Sequence, residues 1–487
     1  MRWIWLSILG LAAVGRAADV RVTVDAGKPR QVMEGFGAST LSWCDGGVDQ
    51  LATMRKGVLE AVYEQVKLTM GDIHCSPYEG QLKDRARLTD ARAVESENDD
   101  DDPFRFHWPG FTWWRSDHAK TKLVDIARPM GLDNFCLRGG INTKWADPWL
   151  AELKKKNPQR YLDEAAENAV AILVHWRDKY RIVPRWHQLF NEPLSGNREV
   201  AGATTREIVE LVRTFGKRLR AEGFDQTMLV VPSEETASKS LETARAILAD
   251  AEAARYVGAI GYHCYPYGST YASIRKILEG PGAGRPSAVS VSVREDLRDL
   301  ARKHRLQTWM TEVSHGGVGG FDMARGRAVH IHDELVYADA SSYWAMYNIY
   351  DKREKDEDHV VIFDSTARKF WITPMGYAIG HYARWIERGA VRVEAASSDP
   401  LVQVTAFHDA KRRTLSLVLI NNSDGAQEVS IALEAIASRA RAAVKGERST
   451  AKEYWETLRG VSMETATGLK LKLPGHSVTS VGVDVGK

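Results

Sequence analysis

Cysteine is scarce in this chain. Four thiols, Cys44, Cys75, Cys136 and Cys264, are spread over 487 residues. They form no Cys-x-x-Cys pair and no Cys/His spacing of the zinc-binding kind, which excludes a thiolate-built metal site. Charge of one sign is lacking too. The formal net charge is +2, so there is no basic footprint for nucleic acid. Beyond the first 17 residues no stretch approaches the roughly 20 apolar residues that cross a bilayer, which excludes a later transmembrane helix. No low-complexity segment dominates. What remains is a chain 44% hydrophobic, ample for a sizeable core, whose length suits two or three domains or one large barrel with an appendage.

The amino terminus reads as a secretory signal over residues 1–17. Arg2 supplies the positive start, Trp3 to Val14 the apolar run, and Gly15 and Ala17 the small residues around a cleavage site. The expected location is therefore secreted or periplasmic. In such a compartment disulfides persist. Cys44 and Cys75 follow what read as neighbouring strands, so a bridge between them is open.

Residues 19–24 alternate apolar and polar side chains, as a half-buried strand does. From there strands and helices take turns. Strands are expected near 35–38, 67–73, 134–138, 185–190, 227–231, 259–263, 307–312 and 342–347. Helices are expected over about 48–65, 116–130, 159–180, 203–222, 238–251, 290–304 and 321–336, with a last one at about 374–387 after a long loop. Eight such units predict an α/β chain built on a (β/α)8 TIM barrel. From about 390 the pattern changes to turn-separated strands at 391–395, 401–408, 414–421, 429–433 and 477–483, an all-β module. The predicted organisation is a signal at 1–17, N-terminal strands at 18–34 that join a β-sandwich, a barrel at 35–388 and the sandwich at 389–487.

Two strands end in glutamate. Trp186-His-Gln-Leu-Phe-Asn191-Glu192-Pro193 closes the fourth, and Thr308-Trp-Met-Thr-Glu312 the seventh. Barrel enzymes place their chemistry at the carboxyl ends of the strands. Two carboxyl groups facing each other there suit a general acid/base and a nucleophile of retaining glycoside hydrolysis. Each glutamate taken singly reads more readily as a solvated loop residue; it is the pair in its context that points to chemistry. Asn191, beside the first, could hydrogen-bond a sugar hydroxyl. The sixth strand ends in Tyr262-His263-Cys264-Tyr265, and alternation puts His263 and Tyr265 on one side. The 15 tryptophans could be sugar platforms, since indole faces pack on sugar C–H faces, or core.

Taken in order, these segments resemble glycoside hydrolase family 30, retaining enzymes of the large (β/α)8 clan that include glucosylceramidases, β-1,6-glucanases and xylanases. Glu34-Gly-Phe-Gly-Ala-Ser39 resembles the family's first-strand signature. Asn191-Glu192-Pro193 matches its acid/base motif, Thr311-Glu312 its nucleophile strand, and His263-Cys-Tyr265 its His-x-Tyr. Pro374-Met-Gly-Tyr377 and Leu473-Pro-Gly-His-Ser477 resemble its crossing into the sandwich and its closing strands. The resemblance implies that Glu192 is the acid/base and Glu312 the nucleophile. It further implies that Asn191, His263, Tyr265 and Trp344 border the sugar, with Trp145 and Trp149 on the turn after the third strand. The implied partner is a β-linked poly- or oligosaccharide, and the chemistry requires no metal or organic cofactor.

Two departures stand out. The clan's arginine near the end of the second strand, which supports the nucleophile, is absent from Leu68-Thr69-Met70-Gly71. The family's turn after the third strand is replaced by Thr143-Lys-Trp145-Ala-Asp-Pro-Trp149. The missing arginine keeps open a non-catalytic carbohydrate-binding barrel, and a transglycosylase would use the same residues. Of other signals, His330-Ile-His332 reads as helix surface, because residues two apart on a helix diverge. The glycine-rich run from His315 to Gly320 lacks the Lys-Ser/Thr of a phosphate-binding loop and reads as a loop beside Glu312. The acidic run from Glu95 to Asp102 reads as a solvated segment of the long insertion at 74–114.

Overall fold

The backbone of a computed structural model describes residues 19–40, 54–74, 102–111, 113–141, 148–195, 200–265, 288–314, 320–351, 359–439 and 441–486. The signal-like residues 1–17, Cys44, Cys75, Trp145, most of the acidic run and residues 315–319 lie outside these.

The strands are β1 Val20–Val32, β2 Gly35–Ser39, β3 Met70–His74, β4 Asn134–Arg138, β5 Trp186–Gln188, β6 Met228–Glu234, β7 Val257–His263, β8 Gln307–Glu312 and β9 Ala340–Ala345. Strands β2 to β9 close into a barrel in chain order. Every neighbouring pair is parallel, including the closing pair of β2 with β9. Parallel strands covered on both faces need near-continuous burial, and Asn134–Arg138 is buried at all five positions. Four of the helices start at side-chain caps. The Asn157 carbonyl accepts from the N–H of Arg160 ahead of Pro158–Tyr180, and Thr204, Thr236 and Thr373 do the same for the N–H groups of Glu207, Lys239 and Gly376. Each cap satisfies a backbone donor that the first turn leaves unpaired.

Inside the barrel Met70, Cys136, Trp186, Val230, Ala259, Trp309 and Trp344 form a packed layer. Trp344 is therefore not at a sugar subsite: it is fully buried, 5.6 Å from the Trp309 ring, and its indole N–H donates to Ser342 Oγ at 2.7 Å. The register explains the correction. Trp344 pairs with Gly37, which pairs with Met70, one pleat below Asp72 at the mouth. Gly37 makes room for it, since a Cβ there would lie 2.9 Å from Trp344 Cδ1.

Between β9 and the last helix the chain is not a loop. Strands β10 Tyr347–Asp351, β11 His359–Asp364 and β12 Lys369–Ile372 form a small sheet, interrupted in sequence by the charged residues 352–358. The last helix, Pro374–Ala383, ends four residues before the expected bound.

The second module contains β13 Val391–Ser397, β14 Val402–Asp409, β15 Thr414–Asn421, β16 Gln427–Glu434, β17 Lys445–Thr450, β18 Glu453–Thr457, β19 Met463–Thr465, β20 Gly468–Leu473 and β21 Ser477–Asp484. These nine join β1 in a ten-stranded sheet that encloses its own sandwich-like core, with Val22, Val24, Leu417, Leu419, Leu471 and Val481 inside. The N-terminal strand lies between β13, antiparallel, and β16, parallel.

Helix Phe321–Tyr337 touches both modules, and this corrects the expectation for its histidines. His330 and His332 are both buried. His330 faces the barrel, with Nδ1 2.9 Å from the Tyr343 hydroxyl, whereas His332 Nδ1 meets Thr405 Oγ1 of β14 at 3.0 Å. The two do point to different faces, but each face is covered.

Candidate active site

The mouth of the barrel gathers residues from five strand ends, those of β4 to β8. Asn191 and Glu192 follow β5 and are both buried. Glu192 has φ +49°, a left-handed conformation uncommon for a residue with a side chain, and its N–H donates to the Ser233 carbonyl at 2.8 Å. The segment beyond it is tied to the end of β6. Glu234 accepts from the N–H groups of Leu194 and Ser195 at 3.2 and 3.1 Å and from the Ser195 hydroxyl at 2.7 Å. Burial pushes the Glu234 carboxyl up, against these hydrogen bonds.

His263 and Tyr265 converge on the glutamates from β7 and the turn after it. His263 Nδ1 lies 2.9 Å from Glu192 Oε1 and 3.9 Å from Glu312 Oε1. The Tyr265 hydroxyl donates to Glu312 Oε1 at 2.6 Å and lies 3.5 Å from the sulfur of Met346, the residue just past β9. One carboxylate oxygen of Glu192, one of Glu312 and a ring nitrogen of His263 all lie within 4.8 Å of one another.

A residue that sequence reasoning passed over stands at the centre. Arg138, the last residue of β4, is buried, and its Nη1 donates to Glu312 Oε2 at 3.1 Å and to Asp72 Oδ2 at 2.6 Å. Its Nη2 donates to Asn191 Oδ1. The signal that could have found it is a buried strand ending in arginine and running into Gly139-Gly140. A Cβ at Gly140 would lie 2.5 Å from the Leu189 carbonyl oxygen, so glycine allows β4 to exit flush against the segment that carries Asn191.

The electrostatics of Glu312 follow from these neighbours. Burial raises its proton affinity, but the electrostatic influence of His263 and Arg138 and the hydrogen bond from Tyr265 outweigh it, while Asp72 works the other way. The net effect holds the carboxyl below the usual glutamate range.

Of the expected site residues, Asn191, Glu192, Glu312, His263 and Tyr265 come together, and Trp344 does not. Trp149 lies in helix Pro148–Lys156, but its side chain, like Trp145, is outside the described part. A second group with metal-ligand donors, Cys264, His330 and Glu334, lies behind β7. There the Arg294 guanidinium donates to Glu334 Oε1, with Nε at 2.9 Å, and the Tyr262 hydroxyl donates to Oε2 at 2.8 Å. An ion pair with a fixed cation already occupies that carboxylate.

No protein-family model matches the sequence, and no curated protein does. Solved structures do. A family 30 endoxylanase from Clostridium papyrosolvens C71 aligns at TM-score 0.63 and 16% identity, covering 95% of this chain and 100% of that one. The catalytic domain of a family 30 xylanase C from Talaromyces cellulolyticus aligns at TM-score 0.66 and 16% identity, covering 95% and 99%. An endo-β1,6-glucanase aligns at TM-score 0.64 and 16% identity, covering 95% and 94%. With its barrel, its ten-stranded companion sheet and this alignment over nearly the whole length, the chain has a glycoside hydrolase family 30-like fold.

Proposed function

We propose that the protein is an exported retaining β-glycoside hydrolase, with Glu312 as nucleophile and Glu192 as general acid/base. The observation that carries the reading is the proximity of the two carboxylates, with oxygens within 4.8 Å. Retaining enzymes hold the two carboxyl groups about 5–5.5 Å apart, whereas inverting ones leave roughly 6.5–9.5 Å for a water.

The surroundings divide the roles. Glu312, held ionised beside Arg138 and Tyr265, attacks the anomeric carbon. Glu192, paired with His263 Nδ1, donates its proton to the departing glycosidic oxygen as that bond breaks. The glycosyl ester on Glu312 is then released by a water that gives its proton to Glu192, and the Glu312 carboxylate leaves with its hydrogen bonds from Tyr265 and Arg138 restored. Asn191, oriented by Arg138, is placed to meet a sugar hydroxyl. A β-linked glycan is the substrate class, in keeping with the xylanase and the endo-β1,6-glucanase among the aligned structures. Export rests on the signal-like residues 1–17. Among the described residues no helix is long and apolar enough to cross a membrane.

The non-catalytic alternative drew on the missing second-strand arginine. Arg138, 3.1 Å from Glu312, removes that ground. The test is hydrolysis of a panel of aryl β-glycosides and β-linked polysaccharides by wild type, Glu192→Ala and Glu312→Ala. Loss of turnover in Glu312→Ala, with azide restoring it and giving inverted product, is the expected result. Binding of a glycan by the wild type without cleavage of any would instead return the chain to the binding-barrel class.

A further inference from the structure

The expected arginine position on β3 is empty of arginine, yet the nucleophile carries a guanidinium. The cation comes from the next strand, and it does not stand alone. Asp72, fully buried at the mouth end of β3, accepts from Arg138 Nη1 at 2.6 Å. The Asp72 backbone is itself fixed, because its carbonyl accepts from both the N–H and the hydroxyl of Thr40 at 3.1 and 2.5 Å. A side chain as long as arginine has many rotamers, and a carboxylate partner in a buried site selects one of them. The rotamer selected here sets Nη1 between Asp72 and Glu312 and Nη2 on Asn191.

We propose that Asp72 and Arg138 form a two-strand clamp, in which the β3 carboxylate positions the β4 guanidinium so that it bridges Glu312 and Asn191. The clamp takes over the support of the nucleophile that this chain's second strand lacks. The inference rests on the reading of Glu312 as nucleophile. In it Asp72 is a positioning residue, acting through Arg138. It also has an opposing electrostatic effect, since its own negative charge faces Glu312 across the shared guanidinium. Among the described residues, the charged and titratable groups facing Glu312 are Asp72 from β3, Arg138 from β4, Glu192 after β5, His263 from β7 and Tyr265 after β7.

The clamp makes the two members act in opposite directions. Asp72→Asn keeps the shape and an acceptor for Arg138 but removes a negative charge, so Glu312 should titrate at lower pH. Arg138→Gln removes the cation, so Glu312 should titrate higher, by about half a unit or more. The kcat of Arg138→Gln should fall at least about tenfold, with KM changing by less than about twofold. Arg138→Lys, a point charge without the fork, should fall between.

The experiment is the pH profile of kcat/KM for the wild type and the three variants, together with a 13C NMR titration of the Glu312 carboxyl in glutamate-labelled protein, assigned by its loss in Glu312→Gln. Shifts of opposite sign support the clamp. Shifts of the same sign, or a Glu312 titration that Arg138→Gln leaves in place, overturn it. So does a raised KM with unchanged kcat, which would make Arg138 a sugar contact instead. If Arg138→Gln fails to fold, Asp72→Asn and Arg138→Lys carry the same comparison. Should the wild type cleave nothing on the panel while the NMR shifts come out with opposite signs, the clamp stands and the glycosidase reading falls.

Discussion

The Tyr265 hydroxyl donates to Glu312 Oε1 at 2.6 Å, from a residue two positions past the histidine that holds Glu192. One short segment at the end of β7 thus contacts both carboxylates. Under the proposed mechanism the tyrosine bond is lost when Glu312 becomes an ester and regained when it leaves, so it should count in the rate. A hydrogen bond to an ionised group is worth about 1.5–3 kcal/mol. Tyr265→Phe should therefore lower kcat/KM by roughly 10- to 100-fold and leave the thermal midpoint almost unchanged. Steady-state kinetics beside a melting curve decides it.

The acid limb of the pH profile has a predicted position. Glu312 must be ionised to attack. Burial raises its proton affinity, and His263, Arg138 and Tyr265 together more than reverse that. A depressed pKa in the folded protein means the ionised form persists as pH falls, and activity is lost only on passing through the lowered value. The acid limb of kcat/KM is expected below the ordinary glutamate value of about 4.3. Profiles measured from pH 3 to 8 check this, and a limb near 5 or 6 would contradict the electrostatic account.

Much of the barrel was legible because buried parallel strands read as apolar runs. Asn134–Arg138 and Gln307–Glu312 occur with the bounds expected from sequence. The strand-end glutamates were legible for the same reason, as charges that interrupt such runs. What the sequence hides is depth along the barrel axis. Trp344 lies on the right strand but one pleat too low, a matter of β9 register against β2 that no periodicity reports. Arg138 was visible as a strand end, yet its reach across to Glu312 depends on barrel closure. Strands β17 to β19 escaped because they are short or polar, whereas Leu469, Leu471 and Leu473 of β20 alternate with Lys470 and Lys472, a half-buried strand pattern that the sequence does carry.

Trp344 gives a prediction that separates a core residue from a sugar platform. It is fully buried between Trp309 and the β2 backbone. Trp344→Ala should cost about 3–5 kcal/mol through the cavity it leaves, read as a lower midpoint in denaturant. Trp344→Phe should cost less, and KM for whichever glycan is cleaved should stay where it is. A KM raised tenfold in a Trp344→Phe protein of near-normal stability would put the indole back in contact with substrate.

The buried pair of Arg294 and Glu334 tests how the barrel is tied to its outer helices. Glu334 is fully buried on helix Phe321–Tyr337, accepting from Arg294 of helix Ala288–His304 and from the Tyr262 hydroxyl of β7. Burial pushes its carboxyl up, but Arg294 and His330 hold it far below the usual range, so the pair is ionised at any pH at which the protein works. Removing one partner leaves the other charge buried and uncompensated, which costs about 3–5 kcal/mol. Glu334→Gln should therefore lower the unfolding midpoint sharply. The folded fraction should keep the wild-type KM, because Glu334 contacts β7 through Tyr262, whose side chain lies on the opposite face of the strand from His263. Replacing both partners, as in Arg294→Met with Glu334→Leu, removes the buried charges together and should recover much of the loss. A double variant no more stable than Glu334→Gln would mean that the hydrogen bond from Tyr262, not the ion pair, is what that carboxylate supplies.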